Sequence, residues 1–209
     1  MSTPLSTTAA ADGSRAQLIA FLVMVVVLLV APLWVYPIFM MKVMCFALFA
    51  CAFNLLIGFG GLLSFGHAMF LGSAGYVSAW CAKSLGLTPE LSILAGTLAA
   101  TLVAIVSGLL AIRRQGIYFA MITLALAQMI FFFCLQAPFT GGEDGIQAVP
   151  RGKLFGLFDL TNHFAMYALV FVIFVSGFLL IWRIIHSPFG QVLKAVRENE
   201  ARAISLGYD

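Results

Sequence analysis

The chain has 209 residues, 63% of them hydrophobic and only 9% charged, with a mean hydropathy of +1.08. Roughly a quarter of the residues in a soluble domain are charged. The apolar excess, gathered into long runs rather than alternating positions, therefore excludes an ordinary water-soluble fold and predicts an all-α, polytopic transmembrane helical bundle. A formal net charge of +3, scattered along the chain, leaves no electrostatic footprint for nucleic acid.

In chain order, residues 1–16 are small and polar and read as a solvated tail. Residues 17–186 form the membrane region, with about six spans. The first, Leu18 to Val35, is long for a signal-peptide core and lacks a small-x-small cleavage site, so it reads as a retained helix. The second runs from Ile38 to Phe59, the third from Leu62 to Ala82, the fourth from Leu91 to Ile112 and the fifth from Ile117 to Gln136. A polar loop from Ala137 to His163 separates these from the sixth, Phe164 to Ile185. It stops at His186-Ser187-Pro188 because proline cannot continue a helix. Cys45, Cys51, Cys81 and Cys134 all lie in apolar runs without a C-x-x-C pair and read as packing residues, not a disulfide or metal framework.

Lys and Arg in short loops set the orientation. A cytoplasmic N-terminus puts Arg15, Arg113, Arg114, Arg183, Lys194, Arg197 and Arg202 inside, against Lys42, Lys83, Arg151 and Lys153 outside. Seven against four favours that topology.

Three segments stand out. Residues 54–75 hold glycines at 58, 60, 61, 66, 72 and 75, with Ser64 and His67 among them. Such a stretch either packs helices closely through small residues or breaks a helix so that freed backbone groups line a polar path. Residues 113–128 form a basic turn and then a helix carrying Thr123 and Gln128, both of which need protein or water partners in lipid. The polar loop holds Thr140 to Gly145, TGGEDG, whose adjacent carboxylates lack calcium-loop spacing and which reads as a tight turn able to meet an external partner.

Residues 187–209 read as a cytoplasmic amphipathic helix. Ser187-Pro188 suits its start and Gly207 its stop, with Phe189, Val192, Leu193 and Val196 on one face. Its mixed acidic and basic residues suit a protein groove better than anionic lipid, although a helix lying in the lipid interface stays open. The chain has no G-x-x-x-x-G-K-[ST], G-x-S-x-G or H-E-x-x-H motif, so neither ATP binding by a P-loop nor a known hydrolase site is expected.

Taken together, GFGGLLSFGHAMFLGSAGY (58–76), RRQGIYFAMITLALAQ with the later TGGEDGI (113–146), and SPFGQVLKAVRENEARAISLGYD (187–209) resemble the branched-chain amino-acid ABC transporter permease family, specifically its second permease subunit. The last segment resembles the EAA-x-x-x-G loop of ABC importers, with Arg202 where a second alanine is usual. The resemblance implies a transporter subunit in the bacterial inner membrane, not an enzyme. Its partners would be a second permease subunit, two cytoplasmic ATPase subunits and a periplasmic or extracellular solute-binding protein. ATP and Mg would sit on the ATPases, with no cofactor in this chain. Arg197, Glu198, Glu200, Ala201, Ala203 and Gly207 would couple to the ATPases, and Gly58, Gly60, Gly61, Ser64, Gly66, His67, Thr123 and Gln128 would line the path. Family members continue with further spans after the LGYD segment, so the chain reads as truncated. The competing class is an ion-coupled secondary transporter. The absence of any acidic residue from the expected spans argues against a carboxylate proton relay.

Overall fold

A computed structural model describes residues 6–114, 116–154, 158–205 and 207, with the side chains of 6–15, 154, 158 and 200–202 outside the described set. The order of helices is α1 (Ser6–Val30), α2 (Pro37–Asn54), α3 (His67–Ser84), α4 (Pro89–Ala111), α5 (Ile117–Gln136), α6 (His163–Ile185), α7 (Pro188–Glu198) and α8 (Glu200–Ser205). Between α5 and α6 lie two 3₁₀ turns and a two-residue antiparallel pair, β1 (Lys153–Leu154) with β2 (Phe158–Asp159). The chain is thus a helical bundle, as its composition predicts.

Among the described residues, five helical stretches are long and apolar enough to cross a bilayer: 16–33, 37–59, 89–111, 117–136 and 163–185. The expected third span is corrected. Residues 61–66 are not helical, and α3 starts at His67 and runs for 18 residues that include Ser73, Ser78 and Lys83. Helix α1 also begins earlier than expected, at Ser6, and ends in a 3₁₀ turn at Ala31–Leu33 where Pro32 withholds its backbone donor. Helix α4 begins at Pro89, so Glu90 lies within its first turn, where the positive end of the helix dipole suits a carboxylate.

The helices sort into two layers. In one, α1, α2 and α6 pack around buried Met41, Met44, Tyr167 and Phe174. Phe21 stacks on Phe178 at 5.5 Å, and the Tyr167 hydroxyl donates to the Leu28 carbonyl at 2.5 Å. In the other, α3 packs against α4 through small residues, and α5 lies beside α3. A Cβ added at Gly96 of α4 would stand 2.6 Å from the Ala74 carbonyl oxygen and 3.0 Å from Ser78 Cβ, so glycine there lets the two backbones close up. Because the long helices alternate in direction, the end of α2, the start of α3, the α4–α5 turn and α7 share one end of the bundle.

The polar loop belongs to the opposite end. Gly141, Gly142 and Gly145 all have positive φ, which confirms the tight turn read from TGGEDG. Thr140 is buried beneath it, its hydroxyl donating to the carbonyls of Cys134 at 2.5 Å and Ala137 at 2.7 Å. Two contacts tie the loop to the small-residue layer: Lys83 Nζ donates to the Gln147 carbonyl at 2.9 Å, and Gly152 abuts Pro89. Near α6, Asp159 accepts from the backbone and hydroxyl of Thr161 at 3.0 and 2.6 Å, and these bonds hold its carboxyl below the usual carboxylate range.

Candidate functional site

Helix α2 does not simply stop at Asn54; it widens into a π-turn, Leu55–Phe59. Gly60 donates to Leu55 at 3.3 Å and Leu62 to Leu56 at 3.3 Å, while Gly61 turns left-handed at φ +68°. A Cβ at Gly60 would meet the Leu56 carbonyl oxygen at 2.7 Å, so only glycine closes this turn without displacing the backbone. Such π-turns are frequent where a helix serves function. Since 37–59 is already long enough to cross the bilayer, the break falls at the end of the bundle rather than at its midplane.

Backbone that leaves a helix at a membrane must find other partners. Two buried hydroxyls supply them. Ser64 Oγ accepts from the Gly66 amide at 3.2 Å, and Thr123 Oγ1 on α5 accepts from the Phe65 amide at 3.2 Å while donating to the Ala120 carbonyl at 2.9 Å. Gly66 lies directly on Thr123, with 3.1 Å from an added Cβ to its carbonyl oxygen. The structure thus brings Ser64, Gly66 and Thr123 together and explains why a threonine stands in an apolar helix.

His67 behaves differently from the carbonyl-bonding histidine that its place near a helix end suggests. It opens α3, and its ring swings into a cage of Phe53, Phe70 and Phe49, with centroids at 5.0, 5.8 and 6.2 Å, all edge-on. Its Nδ1 is buried without a hydrogen-bond partner among the described residues. The residue bridges α2 and α3 through ring contacts and stands apart from the Ser64–Thr123 pair.

Between α3 and α5 runs a cleft of about 230 Å³. Phe65, Met69 and Leu124 line its end near the broken segment, and Tyr76 and Leu135 its opposite end beneath the Gly145 turn. Its polar groups are Ser73, Tyr76 and Gln128. Of the residues expected along a path, Gln128 alone lines this cleft, while Gly66 and Thr123 pack at its end near the broken segment; Gly58, Gly60 and Gly61 lie instead at the foot of α2. Gly72 has no neighbour within 4 Å of an added Cβ and lines the cleft, so close packing at that position is not realised within the chain.

The terminal segment also departs from expectation. Instead of one helix there are two, α7 and α8, separated at Asn199, whose backbone is extended at φ −160° and ψ 98°. Asparagine is a strong N-cap former. Its carbonyl accepts from Ala203 at 3.0 Å to start α8, while its amide closes α7 on Ala195 at 3.0 Å. Ser187 caps α7 by accepting from the Gly190 amide, Pro188 occupies the first helical position, and Gly207 turns left-handed at φ +88° to end α8, all as the sequence indicates.

Helix α7 lies against the foot of α2. Arg197 Nη1 donates to the Gly58 carbonyl, its stem covers Gly61, and Lys194 sits over the Phe59 ring at 4.9 Å. Glu198 is exposed and Ala203 buried; the side chains of Glu200 and Ala201 lie outside the described residues. The sequence reading gives no site role to Lys194, Tyr76 or the phenylalanine cage. Only Lys194 had a local signal, one helical turn before Arg197 on the same face.

Comparison with known proteins adds a second line. The family model described as "Branched-chain amino acid transport system / permease component" matches residues 35–209. The high-affinity branched-chain amino acid transport system permease protein LivM of Escherichia coli K12 is 26% identical over 227 aligned positions, covering 95% of this chain and 53% of the relative. Its counterpart from Salmonella typhimurium LT2 is 25% identical with the same coverage. The chain spans about half the length of these curated relatives. No solved structure matches.

Proposed function

The chain belongs to the branched-chain amino acid transport permease family, and we propose that it forms the membrane path of an ATP-driven importer for branched-chain amino acids or a similar small polar solute. In this reading it sits in the bacterial inner membrane with its N-terminus and α7–α8 in the cytoplasm. It pairs with a second permease subunit, two ATPase subunits and an external solute-binding protein. ATP and Mg are held by the ATPases.

The observation that carries the coupling part is the seat of α7 on the broken end of α2. A short helix outside the membrane touches the place where α2 gives way to a non-helical strand, and that strand is hydrogen-bonded to α5. Displacement of α7–α8 by closing ATPases would be delivered to the α3–α5 cleft, whose apolar walls with Ser73, Tyr76 and Gln128 suit a solute combining apolar and polar parts. The cytoplasmic placement is supported by Arg113, Arg114, Arg183, Lys194 and Arg197 collecting at the α7 end of the bundle.

Copurification tests the reading. Glu200→Arg and Gly207→Trp are expected to abolish retention of the ATPase subunits on the tagged chain while membrane insertion stays normal. Undiminished retention in both variants refutes α8 as the docking element.

A further inference from the structure

The last carbonyls of a helix lack intrahelical donors and carry the negative end of its dipole. At the foot of α2 the Gly58 carbonyl meets a guanidinium of the same chain, from Arg197. The aliphatic stem of Arg197 lies so close over Gly61 that an added Cβ there would stand 2.7 Å from its Cγ. One turn earlier on the same face of α7, Lys194 covers the Phe59 ring. One face of α7 therefore grips Gly58, Phe59 and Gly61 together. Four residues beyond Gly61, the Phe65 amide is bonded to Thr123 of α5.

We propose that Arg197 and Lys194 are positioning residues of the transport cycle, which clamp α7 to the end of α2 so that α7 and the Gly58–Gly66 segment move as one body. The proposal rests on the coupling reading above and changes one part of it: Arg197 is turned to its own chain, and the face offered to an ATPase is left to Glu198 and α8. Arginine suits the task because it supplies a charged donor to the carbonyl and an apolar stem to the glycine surface at once. Cation–π contact by Lys194 adds a second point of attachment, so α7 cannot pivot about one bond.

The test uses the full chain assembled with the second permease subunit and two ATPases in proteoliposomes, with uptake and ATP hydrolysis measured on the same vesicles. Arg197→Ala is expected to lower solute taken up per ATP about tenfold, within the range of measured coupling energies, with ATPase retention and hydrolysis unchanged. Arg197→Lys, which keeps a charged donor, is expected to restore most of the ratio. A cysteine pair gives a second arm: a Cβ at Gly61 would lie 3.6 Å from Arg197 Cβ, a separation that a disulfide spans. Gly61→Cys/Arg197→Cys is expected to be uncoupled when reduced and to regain coupling when oxidised. The single Arg197 variants do not carry the backbone strain of the Gly61 change, so they decide the matter should the pair fail to fold.

Three results overturn the clamp alone: loss of ATPase retention in Arg197→Ala, an unchanged uptake-to-hydrolysis ratio in that variant, or an oxidised pair that blocks uptake, since the two elements would then have to separate. A wild-type chain that retains no ATPase overturns the coupling reading, and the clamp with it.

Discussion

The two layers of the bundle are built on opposite principles. The layer of α1, α2 and α6 is filled with large side chains, the flexible Met41 and Met44 packed with the rings of Tyr167 and Phe174. The layer of α3 and α4 closes on Ala74, Ser78 and Gly96, where one backbone rests on the next. In a bilayer, lipid tails are as apolar as leucine, so burial alone does not drive helices together and contact quality decides. Side chains that can repack tolerate relative motion, whereas backbone-to-backbone contact does not. The break at 61–66 sits between the two kinds of layer and is bonded to the tighter one through Thr123. The contrast teaches that any rocking within this chain should take place in the methionine-rich layer or at the break, with α3 and α4 carried as a unit.

The strongest challenge to that contrast is Gly96→Leu. The new side chain has no space in which to turn, so α3 and α4 must separate, at a cost of about 3 kcal/mol or more, the upper end for overpacking. Buried Cys81 on α3 is expected to become reactive to maleimide, while the reactivity of Cys45 on α2 stays as it was. Equal changes at both thiols would show that the layers are not separate. Met44→Ala should cost about 2 kcal/mol, the low end for such truncations, because neighbouring methionines collapse into the space and the loss is chiefly of packing. A lowered thermal midpoint in detergent, with Cys81 still protected, is the expected result. Tyr167→Phe is the mildest, removing one hydrogen bond to the Leu28 carbonyl at about 1 kcal/mol. The same melt should register it as a small shift, and no shift at all would mean that α1 is held by its ring contacts alone.

Much of this architecture is legible in the sequence, because a membrane helix is written in run length and a broken one in glycine. Hydrophobic runs locate the long helices, and Gly58, Gly60 and Gly61 mark where α2 fails. What run length cannot show is how far the failure extends: Leu62 and Leu63 look like span residues, yet they belong to a non-helical segment held by hydroxyls. Thr123 is visible as an oddity, but its partner lies 58 positions away. Arg197 and Gly58 are 139 apart, and no periodicity joins them. The break at Asn199 is hidden because Ser187-Pro188 and Gly207 read as one start and one stop; only the capping preference of asparagine hints that one helix becomes two. His67 misleads for a similar reason, since its cage is assembled from α2 and α3 together.

The anchorage of the polar loop between α5 and α6 has a mechanical result. With Lys83 holding Gln147 and Pro89 abutting Gly152, a load placed on that loop passes into the hairpin of α3 and α4 as well as into the start of α6, where Arg151 meets His163. A visitor pressing there would lean in part on the stiff half of the molecule, and the far end of that half is where the strand at 61–66 begins.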